Sequence, residues 1–224
     1  MSIKVPYNKG DAYEDKVFRI LQQLNFTIPN SRRAGAGGGT DMVLIHKGKR
    51  YNLEVKKDLG ADYGQKMLKW SDDNWHWAVD DETTKLYTDL GALAHLNRRR
   101  IVPIKFNKDD KDLTYGDKKT DMQRFEDRIE IPLKALFEFY TGKNCFYMQV
   151  GAGFGFYHLA EDVADLGTQQ FDAVFRLRFR AKTIHSKPVW KYGFYAVLKV
   201  ESKPTRSKFN LEKLPHQSLP PIEP

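Results

Sequence analysis

Residues 41–56 constrain this chain most, because they read as one β-hairpin with acidic residues at its open end. Two apolar runs, residues 42–45 and 51–55, flank the sequence Lys-Gly-Lys, which is typical of a tight turn. Antiparallel pairing of the two runs predicts that Asp41 folds back beside Glu54. The chain is therefore expected to contain a sheet in which one hairpin carries two converging acids.

Strand alternation places Glu54 and Lys56 on one face of the hairpin and Val55 on the other. Asp41 and Glu54 repel each other unless a cation lies between them, and carboxylate oxygens suit Mg²⁺, with Mn²⁺ as a substitute. Lys56 would then face a scissile phosphate or the attacking water. The hairpin thus predicts a metal-dependent phosphodiesterase site, and the alternative is a surface hairpin with solvated charges.

An amphipathic helix is predicted ahead of the hairpin, from Lys9 to Phe26. Glu14 lies in its first turns. The apolar residues that recur at helical spacing are Tyr13, Val17, Ile20, Leu21 and Leu24.

The run from Ser31 to Asp41 is first basic and then rich in glycine, and Glu54-Val55-Lys56 follows it. This order resembles the PD-(D/E)XK nuclease superfamily, and within it is most similar to the archaeal-type Holliday junction resolvases. Those proteins typically begin with an amphipathic helix that carries a glutamate, the place taken here by Glu14. Thr40 departs from the pattern, because the signature has proline there. The resemblance covers roughly the first half of the chain.

The resemblance implies an α/β fold with a restriction-endonuclease-like core, in which helices flank a mixed central β-sheet, and a C-terminal α+β elaboration with a basic β-hairpin. It also implies that Asp41, Glu54 and the backbone carbonyl of Val55 ligate the metal ion. Glu14 would assist directly or through water, and Lys56 would orient the nucleophile.

The net charge of +8, from 37 Lys+Arg against 29 Asp+Glu, favours a polyanion such as DNA as the partner. Residues 171–224 are especially basic, with 11 basic and 4 acidic side chains. Residues 173–182 alternate apolar with basic and predict a half-buried strand whose positive face lies along DNA or guards a solvated sheet edge. The predicted nucleic-acid contacts are Arg32, Arg33, Lys57, Arg176, Arg178 and Arg180.

Four regions are expected along the chain. They are a nuclease core over 1–106, a charged loop or linker over 107–120, an α+β region for DNA recognition or dimerisation over 121–203, and a proline-rich tail over 204–224 that drapes over the surface or is disordered. Helices are predicted from Gln65 past Trp77, over 83–97 and over 121–140, and strands over 101–106, 145–150, 173–182 and 192–200.

Two features after the hairpin allow both a functional and a structural interpretation. Gln65 matches a glutamine that many relatives place on the helix after the Glu-x-Lys strand, where it would support the metal site or contact phosphate, but it also suits a solvated helix face. The cluster of Trp70, Trp75 and Trp77 could stack on an exposed base, although core packing is the usual role of tryptophan.

Several classes of protein are not expected. The N-terminus lacks the apolar core of a signal peptide and no stretch approaches a membrane span, so an intracellular protein, cytoplasmic or nucleoid-associated, is predicted. The single Cys145 excludes an internal disulfide and a multi-cysteine zinc site. The glycine-rich residues 151–155 lack a dinucleotide fingerprint, so we predict a turn or a close backbone approach there and expect no small-molecule cofactor.

The expected activity is that of a Mg²⁺-dependent DNA endonuclease acting on double-stranded or branched DNA. A four-way junction and a specific duplex site both remain open as the target. Cutting both strands generally needs two active sites, so a homodimer is expected. The alternatives are a catalytically inactive nucleic-acid-binding subunit of the same fold, or a nuclease acting on RNA or single strands.

Overall fold

The computed structural model describes residues 9–28, 41–185, 191–213 and 219–224. In chain order its elements are α1 (Lys9–Gln23), β1 (Met42–His46), β2 (Lys49–Lys56), β3 (Gly64–Ser71), β4 (Asn74–Trp77), α2 (Glu82–Asp89), α3 (Ala92–Arg98) and α4 (Tyr115–Phe125). They continue with β5 (Asp127–Ile131), α5 (Leu133–Gly142), β6 (Cys145–Val150), β7 (Gly155–His158), β8 (Gln169–Gln170), β9 (Phe175–His185) and β10 (Lys191–Val200). The predicted α/β class is confirmed.

The chain forms two units, each assembled from separate stretches of sequence. The first unit consists of Met1–Ala61, Pro132–Val174 and Ser202–Pro224, and the second of Asp62–Ile131 and Phe175–Glu201. This division does not follow the predicted boundaries at 106, 120 and 203, because strand pairing joins segments that are distant in sequence. None of the helices in the described ranges is both long and apolar enough to cross a membrane.

The first unit contains a mixed sheet in the order β1-β2-β6-β7-β8. Strand β2 pairs antiparallel with β1 and parallel with β6, whereas β7 is antiparallel to β6. A parallel neighbour requires a crossover connection. Helix α5 directly precedes β6 and forms the last part of that connection.

The predicted hairpin is present as β1 and β2. Its loop consists of the two residues Lys47 and Gly48, both with positive φ, at 49° and 70°. Two central residues in this conformation form a type I′ turn, whose twist matches that of antiparallel strands. The register pairs Met42 with Leu53, which places Asp41 at the open end of the hairpin.

The core of the first unit lies between α1 and one face of its sheet. Val17 and Leu21 of α1 are fully buried there, together with Leu44, Leu53 and Tyr147. The helix predicted around Glu14 is thus confirmed, and its apolar side packs on the face of β2 that carries Val55.

The C-terminal segment was predicted to drape over the surface or to be disordered, and for its described residues this is wrong. It is irregular as expected, yet Leu211, Leu219 and Ile222 are buried in the core of the first unit. The amide of Glu223 also donates to Nδ1 of His46 at 3.1 Å. Single apolar residues between prolines therefore fill a core that the sheet and α1 leave incomplete.

The second unit contains an antiparallel sheet in the order β4-β3-β10-β9-β5. The predicted pairing of the basic strand with the strand near 192–200 is confirmed by the β9–β10 register. Along β9, the apolar residues Phe175, Leu177 and Phe179 are fully buried, and the arginines between them lie on the opposite face.

The helix predicted from Gln65 past Trp77 is wrong, because these residues form the hairpin of β3 and β4. Asp72 and Asp73 form its two-residue loop, with φ of 51° and 58°, the conformation of a type I′ turn. Aspartate tolerates this conformation better than most residues, so the pair of aspartates was the signal for a turn.

The strand predicted over residues 101–106 is also wrong. The carboxylate of Asp121 accepts the backbone N–H groups of Ile104 and Lys105 at 2.8 and 3.0 Å. In a strand, these N–H groups would donate to the backbone of a neighbouring strand. Here Asp121 accepts them, and the chain forms a 3₁₀ turn over Ile104–Asn107.

The remaining helices have other bounds than predicted. The helix expected over 83–97 is two helices, α2 and α3, separated at Gly91 with φ of 81°. The loop expected over 107–120 contains the first residues of α4, which Thr114 caps. The helix expected over 121–140 is interrupted by β5, because Pro132 lacks the N–H that a helix interior needs.

Trp75 should be essential for the stability of the second unit. Its side chain is 1% exposed, and its ring centroid lies 4.7 Å from that of Phe125 and 5.1 Å from that of Phe194. We expect Trp75→Ala to lower the free energy of unfolding by about 3–5 kcal/mol, the usual cost of removing a buried aromatic side chain. Trp77→Ala is the control, since Trp77 is only half-buried. Urea denaturation of both variants measures the difference, and equal losses would contradict the assignment of Trp75 as a core residue.

Candidate active site

Asp41, Glu54 and Lys56 meet at the open end of the first hairpin. The Nζ atom of Lys56 lies 2.5 Å from Oε1 of Glu54 and 3.9 Å from Oδ2 of Asp41. The same Oδ2 accepts the backbone N–H of Val55 at 2.7 Å. Strand pairing thus positions Glu54 and Lys56, and a hydrogen bond to β2 positions Asp41.

All three charged groups are largely withdrawn from solvent. The side chains of Asp41, Glu54 and Lys56 are 14%, 13% and 15% exposed. Burial and the neighbouring charge of Glu54 raise the pKa of Asp41 to about 7, although Lys56 and the Val55 N–H act in the opposite direction. Burial lowers the pKa of Lys56, but Glu54 and Asp41 outweigh it and hold this pKa above its ordinary value. Lys56 therefore stays protonated at neutral pH.

Glu14 acts on the site through its charge. It lies half-buried on α1, and its charge raises the pKa of both Asp41 and Lys56. Three acidic groups thus act on one ammonium group. Such an excess of negative charge in a partly buried place favours an added cation.

The carbonyl group of Val55 points towards the same edge of β2 as its N–H group, because both groups of one strand residue face one side. The N–H group donates to Asp41, just before the first residue of β1. The carbonyl oxygen of Val55 and the carboxylate of Asp41 therefore lie at the same end of the hairpin, beside Glu54.

The donors gathered here are oxygen atoms, as Mg²⁺ and Mn²⁺ prefer. In the described part of the chain, no three side chains of His, Cys, Asp or Glu are grouped so that they could hold a metal ion. The predicted ligand set needs only two such side chains, Asp41 and Glu54, with the backbone carbonyl of Val55 as the third ligand. Two carboxylates and one carbonyl oxygen suit a divalent ion in charge and in donor type. Lys56 lies beside both carboxylates.

Gln149 is a buried polar residue of β6 that the sequence analysis did not single out. It lies beside Val55 in the parallel register and has no exposed surface. Its Nε2 donates to the hydroxyl oxygen of Tyr13 at 3.1 Å and to Oδ1 of Asn210 at 2.9 Å, and its Oε1 accepts the N–H of Leu211 at 3.0 Å. A glutamine in an otherwise apolar strand was the available signal, of the same kind as Glu54 in β2.

The bonds of Gln149 tie three parts of the first unit together. Tyr13 directly precedes Glu14 on α1, so its hydrogen bond to Gln149 fixes the turn of the helix that carries this acid. Gln149 belongs to β6, and the backbone of β6 pairs at this position with Val55 of the strand that bears Glu54 and Lys56. The position of Glu14 thus depends on a residue that is far away in sequence.

The other predicted site residues are not part of this cluster. Gln65 lies on β3 in the second unit, and its Oε1 is 3.5 Å from Nη2 of Arg180. Its predicted place on a helix after the Glu-x-Lys strand is therefore wrong. Arg32 and Arg33 lie outside the described residues. Lys57 is exposed at the end of β2, with Nζ 3.9 Å from Asp58.

The predicted DNA-binding arginines share one face of β9 in the second unit. Each of them has an acidic partner within that unit: Arg176 with Glu201 at 3.2 Å, Arg178 with Glu126, and Arg180 with Asp62 at 3.6 Å. These ion pairs reduce the positive potential that a phosphate would meet. The DNA contact of this face stays a prediction.

Comparison of the chain with protein-family models, with curated proteins and with solved structures finds no match.

Proposed function

We propose that the first unit carries a Mg²⁺-dependent endonuclease site that hydrolyses phosphodiester bonds in double-stranded or branched DNA. The observation that supports it most is the cluster of Asp41, Glu54 and Lys56 at the open end of one hairpin. Two mostly buried carboxylates with one lysine between them are costly for a fold unless they serve a function.

The order of elements in the first unit supports a restriction-endonuclease-like core. A helix that carries Glu14 precedes the acid-led hairpin, and the strand with Glu54 and Lys56 has a parallel neighbour that follows a helix. In this proposal the core consists of α1, β1, β2, α5 and β6. Residues Asp62–Ile131 of the second unit then form an insertion between β2 and α5.

The residues of the site divide the chemistry between them. Asp41, Glu54 and the Val55 carbonyl would hold Mg²⁺, which polarises a phosphate oxygen and acidifies a bound water. Lys56 keeps its proton, so its ammonium group orients the nucleophilic water and stabilises the charge that develops on the phosphate. Glu14 assists at the same site, directly or through water.

The remaining parts of the proposal concern the substrate. Lys57 follows the catalytic strand and is exposed, as a phosphate contact must be. A homodimer would supply a second site for the second strand. An inactive scaffold of the same fold is less consistent with the site, since it would not need Asp41, Glu54 and Lys56 together.

Metal removal provides the direct test. Purified full-length protein is incubated with supercoiled plasmid, linear duplex, a four-way junction and RNA, each with Mg²⁺ and with chelator. We expect internal cleavage of plasmid or junction DNA that Mg²⁺ supports, Mn²⁺ also supports and chelator abolishes. Cleavage of RNA alone would reassign the substrate. The absence of metal-dependent cleavage of all four would refute the nuclease function.

A further inference from the structure

The glycine-rich turn over residues 151–154 packs directly against the end of the strand that carries the site. The N–H of Gly151 donates to the carbonyl of Lys56 at 2.8 Å. A methyl group at Gly151 would lie 2.2 Å from the carbonyl oxygen of Lys57, so only glycine allows this approach. The turn therefore borders the site at the residues that end β2.

Arg206 lies on the other side of the same turn. A methyl group at Gly153 would lie 3.3 Å from Nη1 of Arg206, and the guanidinium carbon lies 5.3 Å from the centroid of the Phe154 ring. The backbone near Arg206 is held to the turn, since the N–H of Ser207 donates to the carbonyl of Phe154 at 2.8 Å. Arg206 is exposed, and the bond from Ser207 to Phe154 holds the neighbouring backbone at the turn.

The turn offers a surface that a chain of phosphates can approach closely. Its central residues, Ala152 and Gly153, have no long side chain, and Ala152 is exposed. Arg206 adds positive charge on one side, and on the other side the backbone of Lys57 contacts the turn, while its ammonium group lies 3.9 Å from Asp58. The nearby acid Asp172 already accepts the N–H and the hydroxyl of Thr205, both at 2.8 Å. Arg206 thus differs from the arginines of β9, whose acidic partners are ion-paired with them.

We propose that Lys57, the turn over residues 151–154 and Arg206 form a contact for the phosphodiester backbone of the substrate, next to the cleavage site. This inference rests on the proposed nuclease function and adds a substrate-binding element to it.

Binding of a 30-base-pair duplex in the presence of chelator tests this contact without cleavage. Arg206→Gln should weaken binding about two- to fivefold, as for an exposed ionic contact, and Arg206→Lys should bind nearly as the parent does. The plot of the logarithm of the association constant against the logarithm of the salt concentration should become less steep by about 0.9 for Arg206→Gln, since one phosphate contact is lost. Lys134→Gln is the control, because the Lys134 side chain is 88% exposed on α5. An equal slope for Arg206→Gln and the parent would overturn the proposal.

A second pair of variants tests the turn itself. Ala152 has φ of 57°, so glutamate and glutamine at this position suffer the same backbone strain and differ only in charge. Ala152→Glu should bind DNA several-fold more weakly than Ala152→Gln, with the difference vanishing at high salt. Equal binding by the two would refute the contact. If the variants bind DNA equally while the parent cuts DNA in a way that requires Asp41, the contact is refuted and the proposed function stands. If the predicted binding differences appear but the parent does not cut DNA, the nuclease function is refuted and the DNA contact stands.

Discussion

Asp41→Asn should lower the rate of Mg²⁺-dependent DNA cleavage by about a thousandfold or more, since metal-ion catalysis contributes several kcal/mol to the barrier. Asparagine has the same size and can still accept the N–H of Val55, so the hairpin keeps its geometry. It lacks the negative charge through which Asp41 would bind the metal ion in the proposed mechanism. Single-turnover cleavage of plasmid DNA at saturating protein measures the effect.

Asp58→Asn is the matched control, because Asp58 lies just after β2 with a side chain that is 41% exposed. DNA binding by Asp41→Asn should stay close to that of the parent, because affinity comes mainly from distributed phosphate contacts. Full activity of Asp41→Asn would place the reaction elsewhere in the protein. A loss of activity that follows a loss of folded structure in circular dichroism would assign Asp41 a structural role.

Lys56→Met should lower the cleavage rate by about 10²–10³-fold, the usual effect of removing one group that stabilises developing charge. Methionine preserves much of the length of the side chain but removes the ammonium group 2.5 Å from Glu54. Metal affinity should persist or increase, because Asp41 and Glu54 then lack their neighbouring cation. Isothermal titration with Mn²⁺ measures this affinity beside the cleavage rate.

Lys49→Met is the control for this variant, since Lys49 lies exposed at the far end of the same strand. Without metal, Lys56→Met should also unfold at a lower temperature than the parent, because the two carboxylates repel each other. Added Mn²⁺ should restore part of that loss. If metal affinity collapsed instead, Lys56 would serve to hold the carboxylates in place rather than to act on the phosphate.

Local sequence was sufficient to predict the hairpin and its charged end. The turn at Lys47 and Gly48 favours left-handed backbone, and the apolar runs on either side have the right length to pair. Alternation then determines which face Glu54 occupies. The helix of Glu14 and the pairing of β9 with β10 were predicted for the same reason, because periodicity within each segment matches its burial.

Predictions failed where a distant group competes with local preference. Residues 101–106 have the composition of a strand, but the carboxylate of Asp121 binds their N–H groups and bends the chain. Gln65 was predicted to lie on a helix, where many members of the family that the chain resembles have a glutamine, but it lies on a strand. Its actual neighbours are residues of β10, which are more than a hundred positions away.

The sequence by itself determined the hairpin that carries Asp41, Glu54 and Lys56, because turn residues and strand alternation act over a few neighbouring positions. Only the tertiary structure decided what surrounds it. Helix α1 brings Glu14 to the hairpin, Gln149 of β6 bonds to the preceding Tyr13, and the irregular C-terminal segment completes the core with Leu211. These contacts join segments from both ends of the chain. They depend on packing and on the satisfaction of buried polar groups, which no short window of sequence records.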